Sequence, residues 1–225
     1  MIRAVLFDMD GTLLDSEKIY RWTWTQAMKD LKLELDEEQF FRDVSGMNMA
    51  GIKSFCKQAY GADFPIEELA ATRRAHLMAF LEENLPPLKP GVPQILETLR
   101  ERGICIVLAT SSGYAYATKL VQRLGIDGYF DAVMAGDRVE HGKPHPEIFL
   151  RAAELIGCKP EECVVAEDSQ NGVRAGYAAG MRTVMIPDLQ PCTDELRPLL
   201  WYCIDSLWEL PTLIEAENLR LGQQA

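Results

Sequence analysis

The chain has 225 residues, 48% apolar and 25% charged, the balance of a globular protein, which excludes a disordered or fibrous one. Its 34 acidic and 23 basic residues give a formal net charge of −11, a field that repels nucleic acid and anionic membrane surfaces. The same field repels anionic substrates, so any phosphate that binds is drawn by a local lysine or metal ion.

The chain opens on a short apolar run, residues 2–7, that ends at an acidic cluster. It is too short for a secretory signal. Similar runs recur at 104–109, 132–135, 163–166 and 183–186, and continuous apolarity of this length predicts strands buried on both faces. Between them, residues 92–102, 115–124, 146–156 and 172–179 read as helices. Strand and helix alternate, which predicts the α/β class: a parallel sheet with helices on both faces.

Residues 15–85 break this rhythm. Trp24, Met28 and Leu31 recur at helical spacing, as do Leu77, Phe80 and Leu81, so both flanks of the insert read as amphipathic helices. Asp36 with Gln39 is placed to cap an intermediate helix, and Gly61 and Pro65 separate another pair. The chain returns through Pro86, Pro87 and Pro90-Gly91. The expected division is therefore residues 1–14 and 86–225 as one core and 15–85 as an inserted helical lobe. Beyond residue 189 the signal weakens to a late helical tail. Six scattered cysteines without a C-x-x-C pair are expected to be reduced thiols, and no stretch reaches the ~18 apolar residues of a membrane span. The expected location is cytoplasmic, with no membrane partner.

Chemistry concentrates at the strand ends. In Asp8-Met9-Asp10-Gly11-Thr12, alternation puts the two carboxylates on one side, and Gly11 allows a sharp turn after them. Paired carboxylates suggest a hard divalent cation with oxygen ligands; an Asx-turn before a glycine is the plainer alternative. A later strand ends in Glu167-Asp168-Ser169, where Asp168 is a candidate N-cap as well as a candidate metal ligand. Lys143, in His141-Gly-Lys-Pro-His145, offers the compensating charge just before a helix, or is simply a solvated lysine. Thr110-Ser111-Ser112-Gly113 supplies donors ahead of another helix, or is only a hydroxyl-rich turn. His141 and His145 read as loop histidines rather than a metal pair, His76 as a surface or partly packed residue, and the four tryptophans as packing.

These signals, in this order, resemble the haloacid dehalogenase superfamily, and within it the phosphatases and β-phosphoglucomutases with a helical cap. LFDMDGTLLDS, LATSS, GKPHPEIF and VAEDSQNGVRAGYAAGM match its four motifs over nearly the whole chain. The resemblance implies a Rossmann-like core with an inserted all-α cap domain, and a phosphoric monoester hydrolase acting on a small phosphorylated metabolite such as a sugar phosphate. It implies that Asp8 attacks phosphorus to form an aspartyl-phosphate, and that Asp10 serves as acid and base. Asp8, Thr110, Ser111 and Lys143 would bind the phosphoryl group. Mg²⁺ would be held by Asp8, the carbonyl of Asp10, Asp168 and Glu167.

Dehalogenases lack the second aspartate, and no lysine matches the Schiff-base lysine of phosphonatases. Hexose-phosphate mutases carry a cap histidine where Tyr20 stands here, and an arginine that the segment Val44-Ser45-Gly46-Met47-Asn48-Met49 does not offer; Arg73 or Arg74 are possible substitutes. A phosphatase is therefore expected ahead of a mutase. A non-catalytic metabolite-binding or scaffold protein is the alternative of another class, and its mark, degraded motifs, is absent.

Overall fold

The computed structural model describes residues 1–44 and 46–223; Ser45 of the Val44 to Met49 segment and the last two residues of the expected core lie outside this range. In chain order the elements are β1 (Ala4–Phe7), α1 (Glu17–Asp30), α2 (Glu37–Val44), α3 (Met49–Tyr60), α4 (Ile66–Glu83) and α5 (Val92–Glu101). They continue with β2 (Cys105–Thr110), α6 (Tyr114–Arg123), β3 (Ala132–Ala135), α7 (Glu147–Leu155), β4 (Cys163–Glu167), α8 (Gln170–Ala178), β5 (Arg182–Met185), β6 (Tyr202–Cys203) and α9 (Leu210–Gly222).

The strands form one parallel sheet in the order β3-β2-β1-β4-β5-β6. β1 lies between β2 and β4, with Phe7 level with Leu108 on one side and Ala166 on the other. This is the point where strand order reverses, and open α/β sheets gather ligands outside the carboxyl ends of such strands. The residues that follow β1 and β4 therefore emerge side by side.

All four residues of β1 are fully buried, and their alternation feeds two separate cores. Val5 and Phe7 join a cluster with Ile95 and Leu96 of α5, Leu120 of α6 and Ile214 of α9. Ala4 and Leu6 join another with Ile148 and Phe149 of α7 and Ala175 of α8. Helices thus cover both faces, as the alternation of runs predicts.

Between β1 and α5 the described residues carry helices α1 to α4 and no sheet strand. Trp24, Met28, Phe40, Ile52, Cys56 and Leu69 form a third apolar cluster there. The cap at the start of α2 is the one read from sequence: the Gln39 N–H donates to the Asp36 carboxylate at 3.0 Å. α4 has a divided allegiance. Leu69 packs within the helical cluster, while Leu77 and Leu81 pack into the core cluster beside the sheet. The outgoing and returning chains run antiparallel side by side, with Leu14 paired to Leu88, the Asp15 N–H donating to the Pro87 carbonyl and the Lys89 N–H to the Leu13 carbonyl. No helix among the described residues is long and apolar enough to cross a membrane.

Two of the four tryptophans pack at the surface rather than in the interior. Trp22 is 44% exposed, lying against His76 and Phe80, and Trp208 is 54% exposed. The Trp208 indole covers Gly91, whose φ of +80° and lack of a side chain permit both the turn into α5 and that close approach.

The tail that reads weakly in sequence is fixed by polar ties. Asn218 of α9 accepts from the Ile2 N–H at 2.5 Å and donates to the Ile2 carbonyl at 3.0 Å, anchoring α9 to the start of β1. Glu217, nearly buried, takes Arg220 at 2.8 Å and Arg182 of β5 at 2.9 Å. Hydrogen bonds from Arg220 and then Arg182 lower its carboxyl from the usual 4.5 to about 2. A folded-state pKa below the unfolded one stabilises the fold above about pH 4.5, and this contribution is lost as pH falls toward 2. Glu217→Gln is expected to lower the thermal midpoint at pH 7, with the deficit shrinking as pH falls below 4.5; thermal unfolding followed by circular dichroism across pH checks it.

Candidate active site

Four segments converge at the carboxyl edge of the sheet. Asp8 follows β1, Thr110 ends β2, Glu167 ends β4, and the loop before α7 brings Lys143. The Lys143 side chain is 1% exposed, yet its ammonium donates to Asp8 Oδ1 at 2.5 Å, Glu167 Oε1 at 2.6 Å and the Ala109 carbonyl at 3.2 Å. The solvated alternative for this lysine is thereby set aside. A buried ammonium survives only among such partners. Burial alone would lower its pKa, but Asp8 and Glu167 outweigh that and raise it, so it stays charged.

The carboxylates have the opposite problem. Burial raises Asp8 well above the usual range, opposed by Lys143 and reinforced by Glu167 and Asp10. Asp168 is likewise raised, by burial first and then by Glu167 and Asp8. One oxygen from each of Asp8, Glu167 and Asp168 lies within 4.8 Å of the others. Three buried carboxylates against one ammonium leave excess negative charge at a site built of oxygen donors. That donor set fits a hard divalent cation.

Two glycines make this crowding possible. At Gly11, φ is +86° and a Cβ would overlap the Asp168 carboxylate, which itself accepts from the Thr12 hydroxyl at 3.0 Å. At Gly172, in the first turn of α8, a Cβ would overlap the carboxylate of Glu167. Ser169 caps α8, its hydroxyl accepting from the Gly172 N–H at 3.1 Å, so the capping role weighed for Asp168 falls instead to its neighbour. Glu167 Oε2 accepts from the Asp168 N–H, the Ser169 N–H and the Ser169 hydroxyl, each at 3.0 Å. With its other oxygen on Lys143, Glu167 is held by four donors.

Asp10 does not share the cation space with Asp8 through its side chain. Its carboxylate accepts from the hydroxyls of Ser16 and Tyr20 at 2.8 Å and Ser112 at 3.0 Å, and Tyr20 is in turn 2.8 Å from the Tyr116 hydroxyl. Burial raises its pKa, and these three hydroxyls pull it back. Thr110 Oγ accepts from the Ser112 N–H at 3.0 Å, whereas the Ser111 hydroxyl donates to the Gly46 carbonyl at 3.0 Å. Sequence reasoning missed Ser16, Tyr116 and the partnership of Ser112 with Asp10. Ser16 and Tyr20 stand four residues apart at the start of α1, hence on one face, a spacing that would have exposed the first of them.

Asp8, Asp10, Thr110, Ser111 and Asp168 line one cavity of about 1210 Å³, whose far wall includes Tyr20, Trp24, Arg73 and Arg74 of α1 and α4. The Arg73 guanidinium stacks over the rings of Tyr20 at 4.9 Å and Trp24 at 5.4 Å, and its buried Nε has no hydrogen-bond partner among the described residues.

The family model for haloacid dehalogenase-like hydrolases matches residues 2–180. Among curated proteins, the fructose-1-phosphate phosphatase YqaB of Escherichia coli is 34% identical over 80% of this chain and 94% of its own. Hexitol phosphatase B of the same organism is 29% identical over 93% and 94%. Among solved structures, CbbY from Rhodobacter sphaeroides in complex with phosphate has a TM-score of 0.78 at 28% identity, covering 93% of this chain and 96% of that one. The chain belongs to the haloacid dehalogenase-like hydrolases. Within them it is an enzyme of the phosphoric monoester hydrolase class.

Gly172→Ala is expected to destabilise the fold by about 1–3 kcal/mol, the usual cost of overpacking, because Glu167 has no room to retreat. Urea denaturation of the variant against the parent measures it.

Proposed function

We propose that the enzyme hydrolyses a small phosphorylated metabolite, a sugar phosphate, with Asp8 as nucleophile and residues 15–85 acting as a cap over a core of residues 1–14 and 86–225. The observation that carries this is the buried Lys143 bridging Asp8 and Glu167, with Asp8, Asp10 and Thr110 lining one cavity. An Asp8 oxygen attacks phosphorus, the ester P–O bond breaks, and Asp10 gives its proton to the departing alkoxide. Water then attacks the aspartyl-phosphate, Asp10 takes the proton back, and the Asp8–phosphorus bond breaks to release phosphate. Dividing the reaction this way turns one difficult displacement into two easier ones.

Each neighbouring residue has a physical task. Lys143 opposes the rise that burial imposes on the Asp8 carboxyl, orients it and spreads positive charge toward the equatorial phosphoryl oxygens, where negative charge collects in the transition state. Thr110 and the Ser111 segment face those oxygens. Ser16, Tyr20 and Ser112 fix the Asp10 carboxyl beside the leaving oxygen. Asp8, Asp168, Glu167 and the Asp10 carbonyl would hold Mg²⁺, the hard cation their oxygens suit. When bound, that ion supplies charge neutralisation for the approaching anionic ester.

The relatives named for hexitols, fructose 1-phosphate and phosphorylated carbohydrates support a sugar phosphate. Free thiols at all six cysteines are in keeping with a reducing cytoplasmic setting. Asp8→Asn is expected to lower phosphate release from sugar phosphates by at least ~10³-fold with an unchanged circular dichroism spectrum. Wild-type-like phosphate release by that variant in a malachite-green assay overturns the assignment.

One observation favours the mutase alternative. Arg73, stacked on Tyr20 and Trp24 with its Nε unpartnered among the described residues, lines the cavity, and its fixed fork of donors suits a second phosphate. With β-glucose 1-phosphate and Mg²⁺, phosphate release is expected to exceed conversion to the 6-phosphate. Isomerisation outpacing release, and lost on Arg73→Ala, selects the mutase instead.

A further inference from the structure

The loop that carries Lys143 has two sides. Lys143 points inward and is 1% exposed, while the side chain of His141 points to solvent at 57%. His145 is exposed as well, and the two imidazoles lie face toward face with ring centroids 4.6 Å apart and planes inclined by 36°. The loop between them is closed by a turn in which the His145 N–H donates to the Gly142 carbonyl at 3.0 Å.

Beneath the rings sits Glu147, the first residue of α7, held on several sides. Its Oε1 accepts from the Glu140 N–H at 3.1 Å and pairs with Arg151 at 2.7 Å. Its Oε2 accepts from the His141 N–H at 2.9 Å and lies 3.1 Å from His141 Nδ1. The Glu147 N–H in turn donates to His145 Nδ1 at 3.3 Å, a long bond that a metal on that nitrogen would replace. One nitrogen from each ring and one carboxylate oxygen lie within 4.8 Å of one another.

We propose that His141, His145 and Glu147 form a second metal site, selective for a borderline transition ion such as Zn²⁺ and separate from the carboxylate cluster around Asp8. Two imidazoles and a carboxylate suit Zn²⁺, Ni²⁺ or Cu²⁺, whereas Mg²⁺ takes oxygen ligands and parts reluctantly with water. Zn–N bonds of about 2.0–2.1 Å place tetrahedral ligand atoms roughly 3.3 Å apart, so the three groups, now within 4.8 Å of one another, close by at most about 1.5 Å. Exposed histidines on a loop can make that movement, while the carboxylate is already positioned by backbone donors. Three protein ligands leave a fourth position for water. The ion would sit on the outer face of the loop whose inner face presents Lys143, bracing residues 141 and 145 against α7.

Of the three histidines in the chain, His76 is committed elsewhere, 2.8 Å from Asp30, and serves as an internal control. The test is calorimetric titration of Zn²⁺ into the parent and the double variant His141→Gln/His145→Gln, both saturated with Mg²⁺. It is joined by nitrogen-15 spectra of the imidazoles during the same titration. The expected result is a Zn²⁺-binding event weakened at least tenfold in the double variant, with ring signals of His141 and His145 moving and that of His76 staying. Superimposable isotherms, or a His76 signal that moves as far as the other two, overturn the site.

Discussion

The Lys143 ammonium lies 2.5 Å from Asp8 and 2.6 Å from Glu167 in surroundings almost without water, and the architecture around it follows from that placement. A charge so buried is tolerable only if its partners are fixed. Asp8 is fixed because β1 is the central, fully buried strand, and Glu167 because it ends the neighbouring strand and is pinned by the first turn of α8. Gly172 is there because a side chain would displace the carboxylate that Lys143 needs. The parallel sheet thus acts as a ruler that sets the spacing of opposite charges drawn from distant parts of the chain.

Around this fixed pair the charge balance is deliberately incomplete. Asp8, Glu167 and Asp168 outnumber the single ammonium, and burial first, then repulsion from neighbouring carboxylates, pushes Asp8 and Asp168 toward their neutral forms. Such a site gains from a cation and, once neutralised, can admit an anion that the chain's net charge would otherwise turn away. Asp10, two residues from Asp8, is kept out of this economy by three hydroxyl donors. One of these, Tyr20, comes from helix α1 and leans on Tyr116 of α6. The local environment thereby gives two aspartates of one short motif different partners, hydroxyls for Asp10 and an ammonium for Asp8.

The sheet and its helices were legible because each strand is a continuous apolar run with a polar end, and burial on both faces demands that pattern. The helices of the insert were legible from Trp24 and Met28 and from Leu77 and Leu81, which recur at the period of a helix face. The tail was not. α9 is tied by Asn218 to Ile2, 216 residues away, and by Glu217 to Arg182 of β5, and pairwise polar contacts leave no periodic trace. β6, a two-residue exposed edge strand, has too few side chains to carry one. In the site, the strand-end acids and Thr110 stood out because they stand at the ends of apolar runs, and Lys143 because such acids need a compensating charge to admit a phosphate. Ser16, Tyr116 and the cradle around Glu147 did not, since each has its meaning only through a neighbour that folding supplies. The histidines at 141 and 145 read as separate loop residues because the proline between them breaks any helical spacing, yet the turn at Gly142 brings their rings together.

The antiparallel pairing of Leu14 with Leu88 has an evolutionary corollary. A segment whose two ends are already zipped together imposes little closure entropy on its host, however long it grows. Helices α1 to α4 can therefore be lengthened, trimmed or replaced with small cost to the sheet, provided the two stems still meet and an apolar pair stands where Leu77 and Leu81 now do. Selection is left free to rework the far wall of the cavity while Asp8, Asp10, Thr110 and Asp168 keep their places.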